Sequence, residues 1–137
     1  MLTLKSNYLE TLPSFLAYFG SAVALTALFV FIYTLVTPHR EWALIRAGNT
    51  AAAISLSGAA VGFAIPFASV IVHSLNLIDM AIWALVVLVV QIAAYLVTRA
   101  MVPGLSGKIE AGDTAHATAL AGIAVTAGIL NAACMTY

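Results

Sequence analysis

The sequence predicts an all-α membrane protein with four transmembrane helices, and its charges are the first evidence for this fold class. Only 7% of the 137 residues are charged and 64% are hydrophobic, whereas a soluble domain carries about 25% charged residues. The charged residues leave uncharged runs at 11–39, 47–78, 80–98 and 114–137. Each run reaches the roughly 20 apolar residues that cross a bilayer, or falls one short of it.

These runs are continuously apolar, which favours helices over the alternating strands of a membrane barrel. The first run is too long for the apolar part of a cleavable signal peptide, and no small-residue cleavage pattern ends it. We therefore expect one transmembrane domain over residues 1–137. The predicted spans lie near Leu12–Thr37, Thr50–Val72, Met80–Ala100 and Thr114–Met135.

An internal repeat is the second observation behind the predicted architecture. With an offset of 64 residues, Ile45–Val70 matches Ile109–Cys134 at 12 of 26 positions without a gap. Such self-similarity indicates one structural unit used twice, and we place the repeats at 15–72 and 79–136. Because each unit has two spans, both copies point the same way. A pseudo-two-fold axis along the membrane normal should relate them.

The basic residues predict the orientation of the chain. Arg40, Arg46, Arg99 and Lys108 flank the first and third connections, and only Lys5 lies elsewhere. Excess Lys and Arg marks the cytoplasmic side, so both termini should be periplasmic. A docking protein would then have to contact the exposed connections. The residues available to it are Arg40, Glu41, Trp42, Arg46, Lys108 and Glu110.

Two polar residues are predicted helix caps. Asn49 follows Gly48 at the start of the second span, and Asp113 follows Gly112 at the start of the fourth. Their side chains can accept hydrogen bonds from the unpaired N–H groups of a first helical turn. An anion site at the same helix starts is an alternative, but neither position adds a positive side chain close by.

Small residues distinguish the second and fourth spans from the bulky first and third. Lipid supplies no hydrophobic force between helices, so close backbone approach through small residues drives their packing. We expect the second and fourth spans to pack centrally, with the first and third outside. The residues predicted to form a packing face, either within the subunit or between copies, are Gly58, Gly62, Gly122, Ala124 and Gly128.

Three residues stand out within the predicted spans. Pro66 removes a helical hydrogen bond and should kink the second span. Asn131 aligns one residue beyond Pro66 in the repeat, so its amide should bond to carbonyls that Pro66 frees. Gln91 lies near mid-membrane and should bond to another helix. A contact with a solute or an ion is the alternative role for Asn131.

The sequence offers little support for catalysis, metal binding or nucleic-acid binding. It contains no known catalytic motif and no acidic residue within a predicted span, which argues against a proton-coupled transporter. Asp113, His116 and Glu110 are too few for a metal site. Cys134 is the only cysteine, so a disulfide within the chain is excluded. We expect it to be a small buried apolar side chain. With zero formal net charge, we expect no nucleic acid as a partner. We also expect no cofactor.

The sequence resembles the YjfL-like bacterial inner-membrane proteins, which form the domain-of-unknown-function family 350. The resemblance is carried by the helix start at Gly48–Ala53, the segment Gly58–Pro66, its echo at Ile109–Gly112 and the terminal segment Leu130–Tyr137. It implies an inner-membrane location and tandem two-span units, and it supplies no catalytic residue. It also implies that members of the family are neighbours of envelope-stress proteins, which suggests a role in membrane integrity.

Two functions are compatible with these features. The first is a non-enzymatic homo-oligomer in the lipid bilayer, or the membrane subunit of an envelope-maintenance system with an envelope-stress protein as partner. The second is a small oligomeric channel or transporter. Four spans leave little room for a pore within one subunit, so its conduit would lie between subunits. The polar residues predicted to line that conduit are Ser55, Ser57, Thr118 or Thr126.

Overall fold

The computed structural model describes residues 2–135, with side chains from residue 8 onward, and this part of the chain is helical without any strand. Thr136, the last residue of the second predicted repeat, and Tyr137 lie outside the described residues. The helices of the described part are α1 (Leu2–Val36), α2 (Glu41–Arg46), α3 (Thr50–His73), α4 (Leu77–Met101), α5 (Leu105–Glu110) and α6 (Thr114–Cys134).

Four helices in residues 2–135 are long and apolar enough to cross a membrane, which confirms the predicted number of spans. They are α3, α4, α6 and the part of α1 from Tyr8 to Val36. The helix α1 begins before the predicted span and continues through Pro13. The helix α3 likewise continues unbroken through Pro66.

The connections before α3 and α6 are not simple loops, because each contains a six-residue helix. The helix α2 is followed by Ala47 and then by Gly48, which has a φ of 88°. There Gly48 N–H bonds to the Ile45 carbonyl and Asn49 N–H to the Leu44 carbonyl. This pattern is a Schellman ending, which satisfies carbonyls at the end of the helix and favours glycine.

The second connection ends in the same way at Gly112, which has a φ of 83°. Gly112 N–H bonds to the Ile109 carbonyl and Asp113 N–H to the Lys108 carbonyl. Each position is 64 residues from its counterpart before α3. In both halves of the chain, three residues therefore join the short helix to the next span.

The helix α3 lies at the centre of the bundle and contacts all the other helices of the described chain. Its most extensive contact is with α6, which runs parallel to it. The helix α4 packs against both α3 and α6, whereas α1 packs against α3 and α4 and has at most marginal contact with α6. Much of α1 and one face of α6 therefore point away from the protein.

Aromatic rings join α1, α3 and α4 in the core. The rings of Phe29 and Phe63 are stacked with centroids 4.4 Å apart, and Phe63 contacts Phe67 at 5.2 Å. Closer to the end of the bundle that holds α2 and α5, the Tyr33 and Tyr95 rings meet edge to face at 5.3 Å. The core thus changes from wholly apolar rings to rings that carry hydroxyl groups.

Candidate functional site

The starts of α3 and α6 are capped by the two residues that the sequence singles out. Asn49 Oδ1 accepts a hydrogen bond from Ala52 N–H at 3.0 Å, and Asp113 Oδ1 accepts one from His116 N–H at 3.2 Å. The Asn49 amide also donates to the Ile109 and Glu110 carbonyls at 3.0 and 3.2 Å. Asn49 therefore ties the two halves of the chain together, a role that a carboxylate cannot fill.

Asp113 makes a different second contact. Its Oδ2 lies 2.6 Å from His116 Nδ1, and Lys108 Nζ lies 3.4 Å from the other ring nitrogen. The His116 backbone N–H and imidazole lower the pKa of the Asp113 carboxyl from its usual value. No group of three or more metal-ligating side chains occurs in the described part of the chain. The row of side chains from Lys108 through His116 to Asp113 is partly exposed, and it stabilises the start of α6.

The predicted packing glycines lie at different places relative to the α3–α6 contact. A Cβ added at Gly58 would collide with Ala121. One at Gly62 would lie 2.8 Å from the Ala124 carbonyl carbon, and one at Gly128 would lie 2.9 Å from the Gly62 carbonyl carbon. Three of the predicted glycines and Ala124 are thus at this contact.

Gly122 is the exception among the predicted packing residues. It is exposed, and no atom lies within 4 Å of a Cβ added there. The helix α6 contacts α3 through Ala121, Ala124 and Gly128 instead, which turns Gly122 outward. Gly122 therefore does not pack within the subunit, and of the two predicted kinds of packing face only a contact between copies is left for it.

The polar residues of the spans are enclosed but incompletely paired. Gln91 is buried against Gly62, with its Oε1 3.0 Å from the position of an added Cβ. Gln91 Nε2 and Asn131 Nδ2 are both buried without a hydrogen-bond partner. The predicted hydrogen bond from the Asn131 amide nitrogen to carbonyls near Pro66 is therefore absent.

A buried polar cluster occupies the end of the bundle where α1 leads into α2. After α1, Thr37 and Pro38 redirect the chain, and the side chains of His39 and Glu41 fold back inside with no exposed surface. Ser106, in the first turn of α5, lies 3.1 Å from His39 Nδ1. This contact joins residues 67 positions apart, so the cluster forms only when both halves of the chain are folded together.

The cluster is completed by two phenols from the spans. Tyr33 of α1 and Tyr95 of α4 are 2% and 3% exposed. Glu41 lies close to both hydroxyl groups, and Arg99 lies close to that of Tyr95. We call Tyr33, His39, Glu41, Tyr95 and Ser106 the buried polar cluster.

The atoms of the buried polar cluster are poorly satisfied. His39 Nε2 and Glu41 Oε1 are 3.1 Å apart, which is an ion-pair distance, but they lack the angles of a hydrogen bond. Neither Glu41 oxygen accepts a hydrogen bond, and both phenol oxygens are also without a partner. Buried polar atoms are seldom left in this state. Such unsatisfied groups are frequent where a protein stores strain or performs a function.

The order Ser106–His39–Glu41 is that of a hydroxyl, a base and an orienting carboxylate. A nucleophile of this kind must reach a substrate, and here the imidazole and the carboxylate are completely enclosed. The geometry is instead suited to fastening the α1–α2 connection to α5 through the contact of His39 with Ser106.

The buried polar cluster was not foreseeable from the sequence, because Glu41 is next to the arginines of a connection that was expected to be exposed. The prediction that a docking protein contacts Glu41 is wrong, whereas Arg40, Trp42 and Arg46 are exposed. Cys134 is also exposed rather than buried, at the end of α6. One sequence signal points to the cluster. Gln91, Tyr95 and Thr98 recur at helical spacing on α4, and all three are buried.

Comparisons with known proteins find similarity over nearly the whole chain. The profile of the family described as Domain of Unknown Function (DUF350) matches residues 7–135. The UPF0719 inner membrane protein YjfL of Escherichia coli strain K12 is 40% identical over 131 residues, which cover 96% of this chain and 99% of that protein. The UPF0719 transmembrane protein YshE of Bacillus subtilis strain 168 is 26% identical over 113 residues, covering 82% of this chain and 84% of that protein. No solved structure matches the chain.

Proposed function

The chain belongs to the DUF350 family of membrane proteins, and from that premise we propose that it is a non-enzymatic inner-membrane subunit that works as a homo-oligomer in envelope maintenance. The envelope role rests on the family resemblance, with an envelope-stress protein as the expected partner. The homo-oligomer rests on one face of α6. The relatives are described as membrane proteins without any stated enzymatic activity.

The observation that carries the homo-oligomer is an open face whose counterpart in the other half of the chain is buried. The outer α6 face borders a depression of about 590 Å³ and is largely exposed. Its residues are Ala119, Gly122, Ile123, Thr126, Ala127 and Leu130. The offset of 64 pairs them with residues of α3 that are all buried, namely Ser55, Gly58, Ala59, Gly62, Phe63 and Pro66.

The same surface is therefore covered in one repeat and uncovered in the other. Small residues let helix backbones approach closely in lipid, where helix association depends on packing. A second copy can bring its own outer α6 face against this one around a two-fold axis, which makes the contact self-complementary. The absence of charged residues from this face keeps such a contact free of a desolvation cost.

Replacing Gly122 with leucine is expected to lower the oligomer size without unfolding the subunit. The added side chain would enter the helix–helix contact between copies, but it meets no atom within its own subunit. The measurement is the copy number in native nanodiscs, together with the thermal stability of the subunit. Gly20→Leu is the matched control, because Gly20 also has open space around it but lies on α1. Wild-type protein that is monomeric in the membrane would refute the proposal.

The orientation and the pseudo-two-fold relation belong to the same proposal. The capping pattern before α3 and α6 supports a repeated unit, and Arg40, Arg46, Arg99 and Lys108 lie at the end of the bundle where those helices begin. Excess basic residues favour the cytoplasmic side for that end. Both termini are then periplasmic.

Cysteine labelling in cells tests this orientation. In a Cys134→Ala background, a cysteine at Leu75, which is 88% exposed between α3 and α4, should react with a membrane-impermeant maleimide. A cysteine at Ala43, exposed on α2, should be protected until the membrane is permeabilised. The reverse pattern would place both termini in the cytoplasm.

A channel or transporter is the second candidate, and the buried polar cluster favours it. The cluster places a carboxylate and an imidazole inside the end of the bundle, although Glu41 lies on α2 and outside the spans, and this weakens the sequence-based argument against a proton-coupled transporter. Ser57, Thr118 and Thr126 are exposed and remain candidates for lining a conduit between subunits. Ser55 is fully buried and donates to the Ala52 carbonyl, so it does not line one. Ion flux through oligomeric protein in liposomes supports this candidate, and its absence supports the first.

A further inference from the structure

A long apolar groove runs between α1 and α3, on a different side of α3 from the contact with α6. Its volume is about 860 Å³. Thr26 and Thr34 are the polar residues of its lining, and their hydroxyl groups donate to the Ala22 and Phe31 carbonyls at 2.8 Å. The groove therefore presents hydrocarbon along its length. Other residues that define it are Ala22, Val23, Ala27, Val30, Ala64 and Ala68.

The groove is long enough to hold the acyl chain of a lipid. It extends along α1 from Phe19 to Thr34, and 15 residues at about 1.5 Å each span roughly 22 Å. One leaflet of the hydrocarbon core is roughly 15 Å deep, half of the full thickness. The groove is therefore longer than one leaflet is deep, and an acyl chain of one leaflet can lie entirely within it.

One end of the groove meets a polar depression. This depression has a volume of about 360 Å³ and shares Thr34 and Trp42 with the groove, and its lining includes Arg40 and Arg46. Both arginines are exposed, and Trp42 is 52% exposed. Trp is enriched at the level of the lipid headgroups, and basic pockets beside transmembrane helices bind anionic headgroups.

We propose that this groove and depression bind one anionic phospholipid, with an acyl chain between α1 and α3 and the phosphate against Arg40 and Arg46. The guanidinium groups supply N–H donors that match phosphate oxygens. Glu41 also borders the depression, but its side chain is turned inside towards His39 and has no exposed area, so the two arginines are the charged groups that a phosphate can contact.

A second copy of the chain fits this groove less well than a lipid does. The helices α3 and α6 contain no acidic residue. At the end of the bundle that holds Arg40 and Arg46, a second copy would offer only Glu110 of α5 and Asp113, and Asp113 already contacts His116. A phospholipid supplies both the apolar chain and the negative charge in one molecule. The site is independent of the outer α6 face, so its failure would leave the proposed oligomer untouched.

Native mass spectrometry of the purified full chain tests the headgroup part of this proposal. Dioleoylphosphatidylglycerol should bind more tightly than dioleoylphosphatidylcholine, and Arg40→Gln and Arg46→Gln should each weaken the first lipid about fivefold. Arg99→Gln is the matched control, since Arg99 is exposed at the same end of the bundle but does not line the groove. Equal binding of the two lipids, or an equal loss with Arg99→Gln, would overturn the proposal.

A second pair of variants tests the groove itself. Ala27→Phe fills it and should displace both lipids, whereas Ala93→Phe adds the same ring to an exposed position of α4 outside the groove. Lipid binding that survives Ala27→Phe contradicts the site. So does efficient cross-linking between copies through a cysteine at Val23 in a Cys134→Ala background, because that result would give the groove to a second chain.

Discussion

Gly128→Leu is expected to destabilise the subunit by about 3 kcal/mol, at the upper end of the usual cost of overpacking. A Cβ at Gly128 would lie 3.0 Å from the Gly62 Cα and 2.9 Å from its carbonyl carbon. These are backbone atoms, so no side-chain rotation can relieve the collision. The helices α3 and α6 must separate, and the most extensive contact in the bundle is then lost along its length.

Unfolding in mixed micelles, followed by circular dichroism, measures this effect. Gly20→Leu is the control for a glycine in a helix with open space around it, and it should be neutral or stabilising by up to about 1 kcal/mol through helix propensity. Gly62→Leu should resemble Gly128→Leu, since its added atoms meet the Ala124 backbone. Equal stability of Gly128→Leu and Gly20→Leu would mean that the two helices do not meet at these glycines.

The features that were predictable from the sequence are those that a few neighbouring residues determine. Long uncharged runs specify spans because the bilayer imposes their length. The starts of α3 and α6 were also foreseeable, because a glycine followed by Asn49 or Asp113 satisfies the backbone groups of two successive helices locally. Neither feature depends on what the rest of the chain does.

The features that were not predictable depend on how helices are rotated against each other. The repeat assigns Gly58 and Gly122 the same role, yet Gly58 lies against Ala121 while Gly122 faces outward. A sequence match does not encode this rotation, which follows from the packing of all the helices. Glu41 was misread for a related reason. Its burial depends on His39 beside it and on Ser106 from the other half of the chain.

His39→Leu is expected to cost about 3–5 kcal/mol, because it leaves the fully buried Glu41 side chain without the His39 imidazole, whose Nε2 lies 3.1 Å from Glu41 Oε1. Replacing both members of a buried pair by apolar residues of similar size is often neutral or stabilising. His39→Leu combined with Glu41→Met should therefore be much more stable than His39→Leu alone. Arg40→Leu, at the exposed position between them, should change stability little.

The measurement is a double-mutant cycle of unfolding free energies in detergent. If the effects of the two substitutions simply add, His39 and Glu41 do not act as a pair. If the cycle shows coupling and the double variant folds but loses ion flux or the cellular phenotype, the buried polar cluster serves function rather than stability.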